Sequence, residues 1–496
     1  MDIAAPRLRF VSGNTVTATL AVGFSALTAL LVVGLSGFSP LWGILLCAAT
    51  CGLVVFAWTE SKRELLLLCF VATLPISINK TLWVAGTGYW QTFSISVADV
   101  FLYPYALFVL SEKLMRLQSF HKPVGWFPAL LYVAWMWISA FGAANSVGGM
   151  LAAYTLTKSV LVYVLLADQL ANARRFNAVL GAFAAGLLVQ LPVIASQWLS
   201  GTGLQIAGAR SAAVGMRVTV GDASAFRPPG LMRHPNELAD YPLFLLPTAL
   251  LIILAGARVT NWKIRAAAWV VLIAGCGVLI LSLSRGAWIA GAVTLVALLI
   301  VGSKRGVIKR RHIKQLFVFG IVAFFAVMSL YPAAIKRITS DDQRSTQVRL
   351  AMFEQALLMI RSHPIMGIGL GGYFDAATEY VPVSFGNFSA DLRAGITGNV
   401  VHNKFLLVLA EHGVIGLFIV LATYWAFFSR WLKRKQWSDD GRMIVALGLT
   451  ASLLAQLVFY LFEHFYFGFR TEALWLTFGL LAALYRMEHF GQPKVA

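Results

Sequence analysis

Apolar runs of about 17–25 residues, the length that crosses a bilayer as a helix, recur from Thr15 to Tyr485 with only short polar breaks. They predict spans over residues 16–36, 41–58, 64–79, 95–111, 125–142, 151–170, 177–198, 239–256, 267–283, 286–302, 315–332, 403–428, 443–462 and 472–486. Polar residues interrupt 64–79 and 151–170, and losing one span alone would invert the orientation of everything after it. The chain opens with MDIAAPRLRF. The run that follows has spanning length and no clear small-residue cleavage site, so it reads as the first span, retained. The expected fold class is all-α, a polytopic helical membrane protein with about 14 (12–14) transmembrane helices.

Composition agrees. Of 496 residues, 59% are hydrophobic and only 12% are charged, where a soluble domain carries roughly a quarter charged. That excludes a soluble enzyme, a disordered chain and a secreted disulfide scaffold. Cys47, Cys51, Cys69 and Cys276 all lie in apolar stretches, with neither metal-ligand spacing nor a disulfide framework.

Charge orients the spans, because short cytoplasmic loops hold an excess of Lys and Arg. The connections SKRE (61–64), EKLMRLQSFHK (112–122), ANARR (171–175), ARVTNWKIR (257–265), SKRGVIKRRHIK (303–314) and RWLKRKQWSDDGR (430–442) fall at every second loop and contain 21 of the 40 Lys and Arg. The termini add Arg7, Arg9, Arg486 and Lys494, so both termini are expected in the cytoplasm. This topology signal accounts for the basic loops without a nucleic-acid partner.

The opposite side is different. Two long segments there, 199–238 and 333–402, hold ten basic residues: Arg210, Arg217, Arg227, Arg233, Lys336, Arg337, Arg344, Arg349, Arg361 and Arg393. The charge rule disfavours cations outside. Arginine binds phosphate through a planar fork and stays charged, so this surface suggests an anionic partner such as a lipid diphosphate. The alternative is that the arginines pair with local Asp and Glu or touch lipid headgroups.

Candidate chemistry lies in these segments and the hairpins beside them. RPPGLMRHPNELADY (227–241) fixes a loop with two prolines and a glycine, then starts a helix for which Asn236 is the predicted N-cap. A helix N-terminus offers unpaired N–H groups, so Arg227 and Arg233 beside it would make an anion site. As a turn and cap alone the pattern is common, and His234 reads as a loop residue without a role. LSLSRGAW (281–288) puts Arg285 at a hairpin between two spans, where it either faces a polar cavity as a phosphate ligand or snorkels to the surface. In TQVRLAMFEQALLMIR (346–361), Val348, Met352, Phe353, Leu357 and Ile360 recur at helical intervals and Pro364 ends the helix. This predicts an amphipathic helix on the outer membrane surface, with Arg349 turned either to the cavity or to solvent.

The glycine run GIGLGGY (367–373) superficially looks like a phosphate loop, but it follows a helix and lacks GK[ST], which argues against a nucleotide. In NVVHNKF (399–405), His402, with Asn403 after it, stands where the chain re-enters the membrane on the face of the arginines. Histidine is the usual general base near neutral pH, although a lone histidine at a helix start also serves as a cap or interface residue. There is no HExxH, no Cys/His cluster and no acidic cage, so the expectation is no metal, no cofactor and a metal-independent mechanism.

Together these motifs resemble the O-antigen ligase and O-antigen polymerase superfamily, bacterial integral membrane glycosyltransferases. The resemblance rests on RPPGLMRHPNELADY, LSLSRGAW, STQVRLAMFEQAL (345–357) leading to HPIMGIGLGGY (363–373), and VHNKFLLVLAEHGVIG (401–416), in the family's order. It covers roughly the C-terminal half; residues 1–200 match only as a series of spans. It implies N-terminal helices over 1–200 and a ligase/polymerase-like domain over 201–496, in the bacterial inner membrane with the active site facing the periplasm. The implied donor is an undecaprenyl-diphosphate-linked glycan, the implied acceptor a lipid A core or another glycan, and the surroundings membrane lipids. In the family, outer-face arginines hold the diphosphate, which maps here onto Arg227 or Arg233 and onto Arg285, with Arg349 as a further match. A histidine at the end of the large outer loop deprotonates the acceptor hydroxyl and maps onto His402, with Asn236 and Asn403 in support. In-line displacement would invert the anomeric configuration. The span count exceeds that typical of the ligases, which leans toward the polymerase branch. The alternative is a transporter or flippase for lipid-linked saccharides, which predicts internal repeats and ionisable groups at the midplane; no repeat is seen, and the charges cluster at the outer edge.

Overall fold

The computed structural model describes residue 59 and residues 61–86, 91–203, 216–220, 223–256, 261–339, 343–434, 436–464 and 468–490. The predicted spans 16–36 and 41–58 lie outside these residues. Within them the apolar runs become helices α1 (Lys62–Thr73), α2 (Val97–Met115), α3 (Trp126–Phe141), α4 (Ser146–Gln169), α5 (Ala173–Ser200), α6 (Pro235–Ala255), α7 (Trp262–Ser282), α8 (Arg285–Lys304) and α9 (Arg310–Leu330). After the short α10 (Pro332–Thr339), the amphipathic α11 (Gln343–Ser362) and two further short helices, α12 (Tyr373–Ala376) and α13 (Ala390–Thr397), come α14 (Lys404–Lys433), α15 (Asp440–Phe459) and α16 (Phe469–Phe490). The chain is an all-α polytopic membrane protein. Among the described residues, seven helices, α4 to α8, α14 and α15, are long and apolar enough to cross a membrane.

The run predicted as a span over 64–79 is not one helix. Helix α1 stops at Thr73, ahead of Pro75, which has no N–H with which to continue the helical ladder. The chain then forms β1 (Asn79–Val84), paired antiparallel with β2 (Thr92–Ser96). A second hairpin pairs β3 (Met216–Val220) with β4 (Ala223–Arg227) and delivers Arg227 to its place.

Helix α6 packs along α7 and α15, and α4 runs along α16. Every residue of α6 from Pro235 to Leu245 is buried, as befits a helix surrounded by others. Ala239, Ala287, Ala290 and Ala455 let α6, α8 and α15 approach closely at one end, since small side chains allow backbones near contact.

Helix α14 is broken at Gly413, whose φ of 63° and ψ of −167° are open only to glycine. The glycine run fills that break. The Ile368 and Gly369 N–H groups donate to the Ala410 and Glu411 carbonyls at 2.9 and 3.0 Å, and Val414 N–H donates to the Pro364 carbonyl at 2.9 Å. These glycines are thus a backbone wedge into a split helix. Ionisable residues are also not confined to the outer edge, as the sequence suggested: Lys158 Nζ, inside α4, lies 2.6 Å from Asp99 Oδ1 of α2 and 2.7 Å from Glu472 Oε1 of α16.

Candidate active site

The ends of α6, α7 and α8 converge with β4, α10, the start of α14 and the segment after α15. The turn Pro228–Leu231 carries Arg227 into this region, and two glutamines on α5, seven residues apart, fix it. Gln197 donates to the Gly230 carbonyl at 2.9 Å and accepts from its N–H at 2.8 Å, while Gln190 accepts from Leu231 N–H at 2.7 Å. Gly230 has a φ of 63°, and a Cβ there would collide with the Gln190 side chain.

Asn236 was expected to cap α6. Instead His234 is the N-cap, its Nδ1 accepting from Asn236 N–H at 3.0 Å. Pro235 takes the first helical position, which its fixed φ suits, and this moves the cap one residue earlier. The Asn236 amide is thereby available for a bridge: its Oδ1 accepts from Arg227 Nη2 and its Nδ2 donates to Glu463 Oε1. Arg227 Nε donates to the Ser282 carbonyl at 2.5 Å, one of the carbonyls that the end of α7 leaves without a helical partner. Burial pushes the Arg227 guanidinium down to about 10, the charges of Arg337 and Arg285 push the same way, and Glu463 and Tyr331 oppose them. It remains a cation at neutral pH.

Below this layer Arg470, fully buried, pairs through Nε with Asp240 Oδ2 at 2.6 Å and donates from Nη2 to the Asn236 carbonyl at 3.2 Å. Beside it His402 is half-buried, with Nδ1 3.6 Å from Glu463 Oε2 and its ring edge-on to His464 at a 4.7 Å centroid distance. Burial alone would raise the Glu463 carboxyl. His402, His464 and Arg470 outweigh it and hold the group at about 2, so Glu463 is a carboxylate. Burial and the neighbouring charge of His402 keep His464 well below its usual range, and burial lowers His234 to about 4.

The structure therefore brings Arg227, Arg285, Asn236 and His402 to one end of the bundle. Arg285 opens α8, and Gly286 after it makes room for Phe462, the neighbour of Glu463 in the chain. Arg233 turns to other partners: its guanidinium meets the Asn79 amide oxygen, and its N–H donates to Glu237 at 3.2 Å. Arg349 sits half-buried on α11, which packs mainly on α14 and α13. Asn403 is the N-cap of α14, accepting from Phe405 and Leu406 N–H at 3.0 Å and donating to the Leu461 carbonyl at 3.1 Å. It thereby fixes the segment before Glu463 against His402.

Sequence reasoning passed over Glu463, His464, Asp240 and Arg470. Asp240 lay inside a motif already noted, and Glu463-His464 was the one acidic–histidine dipeptide close after a span on the His402 side. His402, Glu463 and His464 also form a group whose ligand-type atoms all lie within 4.8 Å of one another, which no spacing in the sequence reveals.

Residues 268–421 match the family model described as O-antigen ligase. Over that stretch the chain is similar to the O-antigen ligase family. The matched stretch contains Arg285, Arg349, His402 and Asn403, whereas Arg227, Asn236 and Glu463 reach the site from outside it. No curated protein matches the chain.

Proposed function

We propose that this protein transfers a glycan from an undecaprenyl-diphosphate-linked donor to an acceptor hydroxyl at the periplasmic face of the inner membrane. The observation that carries the reading is the His402–Glu463 pair set beside the Arg227–Asn236 bridge. With Nδ1 turned to a carboxylate, the imidazole keeps its proton on that side and presents Nε2 as the base. A sugar hydroxyl is a poor nucleophile until its proton is taken in the transition state. As that proton passes to His402 Nε2, the acceptor oxygen bonds to the anomeric carbon and the bond to the diphosphate breaks, its electron pair leaving with the diphosphate.

The leaving group gains negative charge, and the cations that meet it are Arg227, fixed by the Ser282 carbonyl, and Arg285, at the start of α8. Attack opposite the departing diphosphate inverts the anomeric configuration, and no step calls for a metal. Arg233, held by Asn79 and Glu237, and Arg349, on α11, are assigned to the margin of the donor site.

Purified protein reconstituted with a polyprenyl-diphosphate-linked repeat unit tests this. A ladder of longer lipid-linked glycans identifies a polymerase; transfer only when lipid A core or another acceptor is added identifies a ligase. His402→Ala is expected to abolish transfer and leave donor binding intact. Near-normal turnover in that variant, or unmodified donor simply crossing the bilayer, overturns the reading.

A further inference from the structure

We infer that His402, Glu463 and His464 form a binding site for a transition-metal dication such as Zn²⁺, and that its occupation silences the transferase. Two imidazoles and one carboxylate within 4.8 Å of one another make a mixed nitrogen and oxygen set. Such a set suits zinc or cobalt and not magnesium or calcium, which favour oxygen ligands alone. Glu463 is 2% exposed, and its Oε2 faces His402 Nδ1 at 3.6 Å, with no hydrogen bond to it within 3.5 Å among the described residues. Its other oxygen is fixed by Asn236, so the carboxylate is already oriented. His402 is the one partly open member, which leaves a fourth position facing outward, as in three-ligand zinc sites.

The inhibitory consequence follows from the imidazole itself and rests on the general-base reading above. A metal bound through His402 Nδ1 takes the lone pair on that nitrogen. The ring proton then resides on Nε2, which can no longer accept the proton of the acceptor hydroxyl. Arg227 and Arg470 oppose a dication nearby, so the site is one that reversibly takes metal, not a permanent structural centre.

Chelator-stripped, full-length protein in detergent is titrated with CoCl₂ and ZnCl₂, recording cobalt visible absorption and bound metal per chain. The expected result is one saturable Co²⁺ per chain with tetrahedral-type bands, displaced by Zn²⁺ and untouched by excess Mg²⁺. His464→Ala and the near-isosteric Glu463→Gln should each weaken binding at least tenfold, while His363→Ala should leave it unchanged. Saturable binding that survives in both site variants, or no saturable binding in the wild type, overturns the proposal. Because binding is read without substrate, this outcome stands apart from failure of the transfer reaction. Once transfer is measurable, Zn²⁺ should suppress it with the same midpoint as binding, and chelation should restore it.

Discussion

Glu463 and Arg285 show what single side chains are asked to do here. Glu463 binds Asn236 with one oxygen and faces His402 with the other. Replacing it with glutamine keeps the shape and removes the charge that orients the imidazole. Glu463→Gln is expected to lower kcat by about tenfold to a hundredfold, because general-base catalysis contributes on the order of 10²–10⁴. The donor KM should stay unchanged, and Glu463→Asp should restore part of the rate. An equal loss in kcat and donor affinity would reduce Glu463 to a structural residue. On the proposed reading, Arg285 meets the diphosphate that departs. Arg285→Ala should raise the donor KM and lower kcat together, since the proposed contact would hold the diphosphate before and during departure. Arg285→Lys should recover only part, because lysine presents a point charge in place of a fork. Complete rescue by lysine in steady-state kinetics would show that charge alone matters.

Among the elements, the split helix α14 is the least expected. A Cβ on Gly413 would overlap the Ile365 carbonyl oxygen, and the backbone there is one that other residues rarely adopt. Gly413→Ala is therefore expected to destabilise the fold by about 1–3 kcal/mol from backbone strain alone, with the overlap adding to it. A thermal-unfolding scan of purified protein checks this, and an unchanged midpoint would mean that the wedge does not hold the break open. The sequence foretold α3 to α8, α11 and α14 to α16 within a few residues, because long apolar or amphipathic runs with polar ends have few other solutions. It missed the break because LLVLAEHGVIGLF is apolar on both sides of Gly413, and the partner that fills the gap, Ile365 to Gly369, comes from another part of the chain. The first hairpin was hidden because the apolar run of α1 carries on through Leu74 to Ile78, up to the start of strand β1. At the site, Arg227, Arg285 and His402 were singled out in the sequence, and the fold brings them to one end of the bundle. Glu463, Arg470 and the bridging role of Asn236 depend on contacts between residues more than 200 positions apart, and only the fold supplies those.

At the scale of the whole molecule, one buried triad joins helices from the two ends of the described chain. Lys158 of α4 lies between Asp99 of α2 and Glu472 of α16, all three nearly excluded from solvent. Glu472 is two residues from Arg470, whose Nη2 supports the Asn236 carbonyl in the candidate site. A change at Lys158 thus has a short physical route to Asn236 through the first turn of α16. Lys158→Met removes the cation and leaves two like-charged carboxylates buried side by side, and losing one partner of such a buried set costs about 3–5 kcal/mol. The triple variant Asp99→Asn, Lys158→Met, Glu472→Gln leaves no charge uncompensated, so it should unfold at a higher temperature than Lys158→Met alone, although it carries three changes instead of one. If the triad also steadies the site, transfer activity should follow the same order, with the triple variant above the single one. A single variant as stable as the wild type would mean that the two carboxylates take up protons without loss of packing, and the triad would then have no part in holding α16 and Arg470 in register with Asn236.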